Sequence, residues 1–245
     1  MTELILFGMI TGFISGFFGV GGGMVLVPML VMTGYLMKEA IAISIMQMVF
    51  SSIYGSFLNS KKAKGVFKEG LIIGMGGFVG GLQNSFVHSI VSNEALQYFF
   101  ILIIILSIIK IFVSPAEPDC EPKKHSKLTL FIIGFFIGII AMSIGVGGSI
   151  MLIPILVGFM HYNIKTATSL SLFFVIFSSI AGFSSLTIND QMLFNEGFTV
   201  GAASLIGVYF GIKTKNATSS GSYKQFILIL NFIILATMIY KTFFN

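Results

Sequence analysis

Short polar clusters divide the chain into apolar runs close to the length of a membrane-crossing helix. Runs at 40–57, 70–91, 96–113, 167–186, 198–212 and 226–244 each predict one span, although the fifth is short against the roughly 20 residues that a bilayer requires. Two further apolar segments, 4–35 and 128–162, are longer than one straight span needs, and both contain glycine clusters. The stretch 114–127 carries three of the five prolines, which predicts an aqueous linker. The expected organisation is therefore a first membrane repeat at 1–113, a polar linker at 114–127 and a second membrane repeat at 128–245.

Composition strengthens the membrane reading. The chain is 56% hydrophobic and 9% charged, with mean hydropathy +0.99, against about 25% charged residues in soluble domains. Its net charge of +5 comes from lysines in short loops between apolar runs, where the positive-inside rule accounts for them. No nucleic-acid partner is expected. The single cysteine, Cys120, lies in the linker, so no disulfide framework or Cys-x-x-Cys metal site is expected. The opening Met1-Thr2-Glu3 has no basic region, and the first apolar segment is expected to remain in the mature protein.

The two long segments share a motif. Gly19-Val20-Gly21-Gly22-Gly23 is followed by Pro28, and Gly145-Val146-Gly147-Gly148-Ser149 is followed by Pro154. At an offset of 126 residues Gly12, Leu26 and Leu30 also match Gly138, Leu152 and Leu156. After one inserted residue, Ala40, Ser44, Ser51, Ser52, Gly55, Glu69, Gly70 and Gly80 match Ala167, Ser171, Ser178, Ser179, Gly182, Glu196, Gly197 and Gly207. Aligned Gly, Pro, Ser and Glu are not produced by apolar composition, so the chain reads as a tandem duplication.

Lysine placement bears on what the long segments do. If each crosses once, Lys38, Lys165, Lys213, Lys215 and Lys224 lie opposite all other lysines. If each enters, turns at its glycines and returns, only Lys38 and Lys241 lie opposite the rest, which satisfies the positive-inside rule better. This favours an all-α membrane protein with two re-entrant segments and six full spans. Each repeat then crosses an odd number of times, so the second is inverted relative to the first. Both termini are expected outside the cytoplasm. A strongly tilted broken helix crossing once is the alternative.

A glycine break at membrane depth starts a new half-helix, here near Met24 or Ile150, and exposes its first amides and the positive end of its dipole. Such an end binds anions without a cationic side chain. The expected substrate-binding residues are Gly21, Gly22, Gly23, Met24, Gly147, Gly148, Ser149 and Ile150, completed by Gln47, Ser51, Ser171 and Ser178 from the spans that follow. The competing explanation is that the glycines only permit close helix packing and the serines only tie helices together. Asn59, Gln83, Asn84, His88, His161 and Asn231 are further polar residues in or near spans. Glu69 and Glu196 precede equivalent glycines and read as helix N-terminal charges. No phosphate loop, His-Glu-x-x-His, Gly-x-Ser-x-Gly or Cys/His cluster occurs, so neither an enzyme nor a cofactor is expected.

The paired Gly-x-Gly-Gly-Gly/Ser motifs with downstream proline, each followed by an Ala-x-x-x-Ser span and a glycine-rich span, resemble the sulfite exporter TauE/SafE family. The resemblance covers nearly the whole chain. It implies a prokaryotic inner-membrane permease for sulfur-containing anions, such as sulfite or organosulfonates, or for related organic anions. The expected function is secondary transport of a small anion by alternating access, with a proton or sodium ion as a possible coupling partner. A non-transporting membrane scaffold is the alternative.

Overall fold

The computed structural model describes residues 1–19, 21–59, 67–113, 126–162, 164–217 and 220–244. The linker with Cys120 lies almost wholly outside these residues. The described chain is helical: α1 Thr2–Phe18, α2 Gly23–Met32, α3 Met37–Asn59, α4 Phe67–Gly81, α5 Asn84–Ile90, α6 Asn93–Val113, α7 Lys127–Ser143, α8 Ser149–Gly158, α9 Ile164–Ile188, α10 Phe194–Ala217 and α11 Ser220–Phe244.

Five stretches are long and apolar enough to cross a membrane: Met37–Leu58, Lys68–Ile90, Asn93–Lys110, Thr166–Ile188 and Gln225–Phe244. The expected span at 70–91 bends at Leu82 and Gln83, between α4 and α5. The short apolar run at 198–212 is the middle of the 24-residue α10, whose ends carry Asn195, Glu196, Lys213 and Lys215. Large side chains including Leu102, Leu106 and Ile109 of α6 and Ile229, Phe232 and Ile233 of α11 are exposed. An apolar surface of this kind suits hydrocarbon and would be a liability in water. The chain is an integral membrane protein.

Each long apolar segment divides at its glycines into a 17-residue helix and a 10-residue helix, α1 with α2 and α7 with α8. At 1.5 Å per residue the shorter member extends only about 15 Å, half the hydrocarbon core. Pro28 and Pro154 lie inside α2 and α8, where each removes one backbone donor and one helical bond.

Register fixes the helix directions. Along α1 and α10, Gly8 meets Val200, Gly12 meets Ser204 and Gly16 meets Val208, so the two helices run the same way. α3 runs with α10 as well, since Gly197 meets Met46, Gly201 meets Phe50 and Gly55 meets Val208. Consequently α1 and α3 point in one direction, and the chain reverses between them. α2 makes that reversal: Gly23 lies against Ser44, while Val27 and Ile41 both lie against Gly145, so α2 is antiparallel to α3.

The second set packs reciprocally. α7 runs parallel to α4, with Phe131 against Gly76 and Phe135 against Gly80, and α9 runs parallel to α4, with Phe173 against Gly70 and Phe177 against Gly74. α3 and α9 are antiparallel, because Ile45 meets Gly182 while Met48 and Val175 flank Gly21. The glycine rows on α1, α4, α7 and α10 bring helix backbones together, as small residues do in membranes. A Cβ at Gly12 or Gly207 would fall on the facing helix backbone.

The two ends of the bundle differ in charge. The Lys38 amide donates to Asn93 Oδ1 at 3.0 Å, and Tyr98 packs near Phe243 with ring centroids 5.9 Å apart. These contacts gather the starts of α3 and α6 and the end of α11 at one end, with the starts of α1 and α10. Lys38 and Lys241 are there, together with Glu3, Glu39, Glu94, Asp190 and Glu196. Lys68, Lys110, Lys127, Lys165, Lys213 and Lys215 stand at the opposite end.

Candidate functional site

Both short helices begin in the same unusual way. Their N-caps, Gly22 (φ 75°) and Gly148 (φ 72°), are left-handed and carry no side-chain cap. Glycine is suited to both positions because a side chain there would be strained by the backbone. The Val25 and Leu26 amides donate to the Gly22 carbonyl at 3.2 Å each, and the Met151 and Leu152 amides donate to Gly148 at 3.1 and 2.8 Å. In each case the amides before them, Gly23 and Met24 or Ser149 and Ile150, precede any helical carbonyl that could accept them. The expected half-helix N-termini are thus present at both motifs.

The two breaks touch. A Cβ on Gly23 would fall on the Gly145 carbonyl oxygen and on Ser44 Oγ, so the first half-helix N-terminus abuts the end of α7. Ser44 Oγ donates to the Gly145 carbonyl at 2.8 Å, tying α3 to the second break. Ser44 was visible in the sequence as a repeat match to Ser171, but nothing in its spacing marked a bridge between repeats. Residues 21–28 and 141–150 are buried, so the described residues of both breaks are shielded from solvent.

Gln47 is wholly buried, and neither Nε2 nor Oε1 has a hydrogen-bond partner. The two atoms lie 2.9 and 3.0 Å from the position a Cβ on Gly22 would take, with the Thr11 carbonyl 2.8 Å from the same point. A buried amide left unpaired costs about 1–3 kcal/mol, a cost that a polar ligand would relieve. Ser149 is also fully buried, with Oγ unpartnered. Ser51 Oγ donates over 3.4 Å toward the Gly21 carbonyl and toward Met48.

The second-half serines bond within their own helix. Ser171 donates to the Thr168 carbonyl at 3.2 Å, and Ser178 donates to Phe174 at 2.8 Å. Both bonds stay inside α9, the usual back-bonding of a serine within a helix. Lys215 is a residue that the sequence treated only as loop charge. Its Nζ stands 3.9 Å from the Cβ position of Gly19, at the end of α1.

Other polar candidates scatter. His88 Nε2 lies 3.3 Å from the Ser143 carbonyl at the end of α7. Asn84 is buried with both amide atoms unpaired, and Asn231 donates to Ile227 at 2.7 Å. Gln83 is exposed, and His161 adopts φ 59° in the turn after α8. The Asn59 side chain lies outside the described residues. Burial and the neighbouring Glu69 carboxylate push the Tyr162 hydroxyl up to about 12. At the other end burial, then Glu196, raises Tyr35. A cavity of about 520 Å³ opens beside Met1, Met46 and Glu196 and includes none of the expected site residues. Among the described residues no His/Cys/Asp/Glu group could hold a metal ion.

Comparison with known proteins places this arrangement. Sulfite exporter TauE/SafE matches residues 4–238. A probable membrane transporter protein of Bacillus subtilis is 22% identical over 258 residues, covering 95% of this chain and 93% of the relative. One from Haemophilus influenzae is 27% identical over 198 residues, covering 76% and 73%. One from Methanocaldococcus jannaschii is 40% identical over 74 residues, covering 29% and 28%. No solved structure matches the chain. With the match running through both glycine motifs and nearly every helix, the chain belongs to the sulfite exporter TauE/SafE family.

Proposed function

We propose that the protein is a secondary transporter whose two glycine breaks form one site for a small sulfur-containing or organic anion. The observation that carries this reading is the meeting of Gly23 with Gly145 beside the unpartnered amide of Gln47. Two uncapped half-helix N-termini lie close to that contact, and such ends favour negative charge. Sulfite enters as the substrate to test because it is the anion in the family's description.

The helix directions support two inverted repeats, each opening with a re-entrant pair, α1 with α2 and α7 with α8. α1 and α3 point one way, and their counterparts α7 and α9 point the other. Inverted repeats around a shared midplane site are a common basis for alternating access. Since the breaks are buried, solute entry requires one repeat to move against the other. The end carrying Lys68, Lys110, Lys127, Lys165, Lys213 and Lys215 is the cytoplasmic one by the positive-inside rule, which leaves both termini outside.

Reconstituted protein should take up sulfite, thiosulfate or sulfoacetate, and comparing flux with and without a pH gradient identifies proton coupling. Absence of flux for every anion tested would reject the reading. Single cysteines placed at residues 2 and 245 should react with an impermeant label from outside; labelling only from the cytoplasm would reject the topology.

A further inference from the structure

The two breaks have equivalent backbones and unlike surroundings. At the 127-residue offset relating α3 to α9, Gln47 of the first repeat corresponds to Phe174 of the second. The two occupy equivalent places, one at each break. The Gln47 amide lies where a Gly22 side chain would be, and the Phe174 ring lies where a Gly148 side chain would be. One break therefore faces a donor and an acceptor with no partner, and the other faces a fully buried aromatic ring.

The same offset pairs Lys215 with His88. Lys215 Nζ approaches Gly19 at the end of α1, while His88 Nε2 approaches the Ser143 carbonyl at the end of α7. A cation at a helix C-terminus complements the dipole there. At the first break, however, it also places an ammonium on the same glycine turn that leads into the α2 N-terminus. The first break thus combines a positive side chain, a helix N-terminus and an amide donor. The second has an imidazole at the matching place, turned to the Ser143 carbonyl.

We infer that the anion binds at the first break alone, between the Gly23 and Met24 amides, the Gln47 amide and the Lys215 ammonium, while Phe174 fills the equivalent space at the second break. This rests on the anion-transport reading and narrows it to one side of the pseudo-symmetric pair. The ligand class is a small oxyanion: its oxygens accept from the backbone amides and from Gln47 Nε2, and its charge is matched by one lysine. Gln47 Oε1, next to the donor, can receive a hydrogen from a ligand hydroxyl or from a water carried with the anion. Phe174 offers no hydrogen-bond donor to an anion. The second break keeps one unpartnered donor, the buried Ser149 hydroxyl, but the Phe174 ring fills the space beside it at Gly148, so that break serves as a packed abutment.

The test uses the full chain in proteoliposomes, with initial rates of sulfite uptake, sulfite binding by calorimetry and a melting curve for each variant. Gln47→Met and Phe174→Met keep the side chains close in volume. Lys215→Gln and His88→Gln keep a donor while removing the charge or the ring. Gln47→Met and Lys215→Gln should each raise the sulfite KM about tenfold or more, the range for losing a hydrogen bond to a charged group. Lys215→Arg should recover part of that loss, and Phe174→Met and His88→Gln should stay within about twofold of the parent. Matching KM losses from Phe174→Met and Gln47→Met, with melting unchanged, would establish a two-sided site and overturn the inference. Sulfite flux that survives Gln47→Met and Lys215→Gln with an unchanged KM would overturn the one-sided site while leaving transport standing. A folded parent protein that neither binds nor moves sulfite, thiosulfate or sulfoacetate would overturn both.

Discussion

The first and second glycine breaks were built from one pattern and have diverged in what surrounds them. Their N-caps differ by only a few degrees in φ, at 75° and 72°, and each cap carbonyl accepts from the amides three and four residues ahead. Yet position five of the motif is a glycine in one copy and a serine in the other, and the facing residue is Gln47 in one and Phe174 in the other. Backbone conformation has been kept while side-chain chemistry has separated. A shared fold element therefore locates a site without saying which copy holds the ligand.

The sharpest way to break this comparison is to exchange the fifth motif residue. Gly23→Ala places a methyl group on the Gly145 carbonyl and Ser44 Oγ, an overpacking expected to cost about 1–3 kcal/mol or more. Ser149→Ala removes a buried hydroxyl that has no partner, so its melting temperature should hold or rise. Thermal denaturation of the two purified variants checks this; equal destabilisation would show that the breaks pack alike.

Gln47→Met should separate stability from function. Removing two unpartnered buried polar atoms is expected to leave the protein as stable as before or about 1 kcal/mol more stable, while transport falls. A parallel loss of melting temperature and flux would mean that Gln47 is structural. Phe174→Gln is the complementary change: it buries a new polar group and should destabilise by about 1–3 kcal/mol.

Smaller effects distinguish the serines. Ser44→Ala removes the bond from α3 to Gly145 and should cost about 0.5–1.5 kcal/mol. Its repeat counterpart Ser171 bonds only within its own helix, so Ser171→Ala should cost less. Denaturation of the pair reads the difference, and a larger cost at Ser171 would contradict the assigned roles.

A further effect shows only at alkaline pH, at Tyr162. Tyr162 has its hydroxyl raised to about 12, above the ordinary value of about 10. The fold therefore favours the neutral phenol, and that stability is present below pH 10 and lost as pH rises from about 10 toward 12. Tyr162→Phe should flatten this alkaline loss, measurable by melting across that range.

Much of the architecture was legible in residue order. Apolar run lengths marked the helices, the paired motifs marked both breaks, and lysines marked the two ends, because hydrocarbon penalises charge and unpaired backbone wherever they occur along the chain. The division of 70–91 into α4 and α5 was hidden, since the apolar run continues through the bend. Serine roles were hidden as well. Ser44 and Ser171 match in sequence, but one hydroxyl reaches the opposite repeat and the other turns back on its own helix.

By itself the sequence determined an all-helical membrane protein with duplicated glycine breaks and a family membership carried by those motifs. Only tertiary structure decided that Gly23 abuts Gly145, that Gln47 faces Gly22 while Phe174 faces Gly148, and that Lys215 reaches the first break. These contacts join residues from different helices and often from opposite repeats. Their geometry depends on how parallel and antiparallel helices pack, a property that hydropathy and spacing along one chain do not encode.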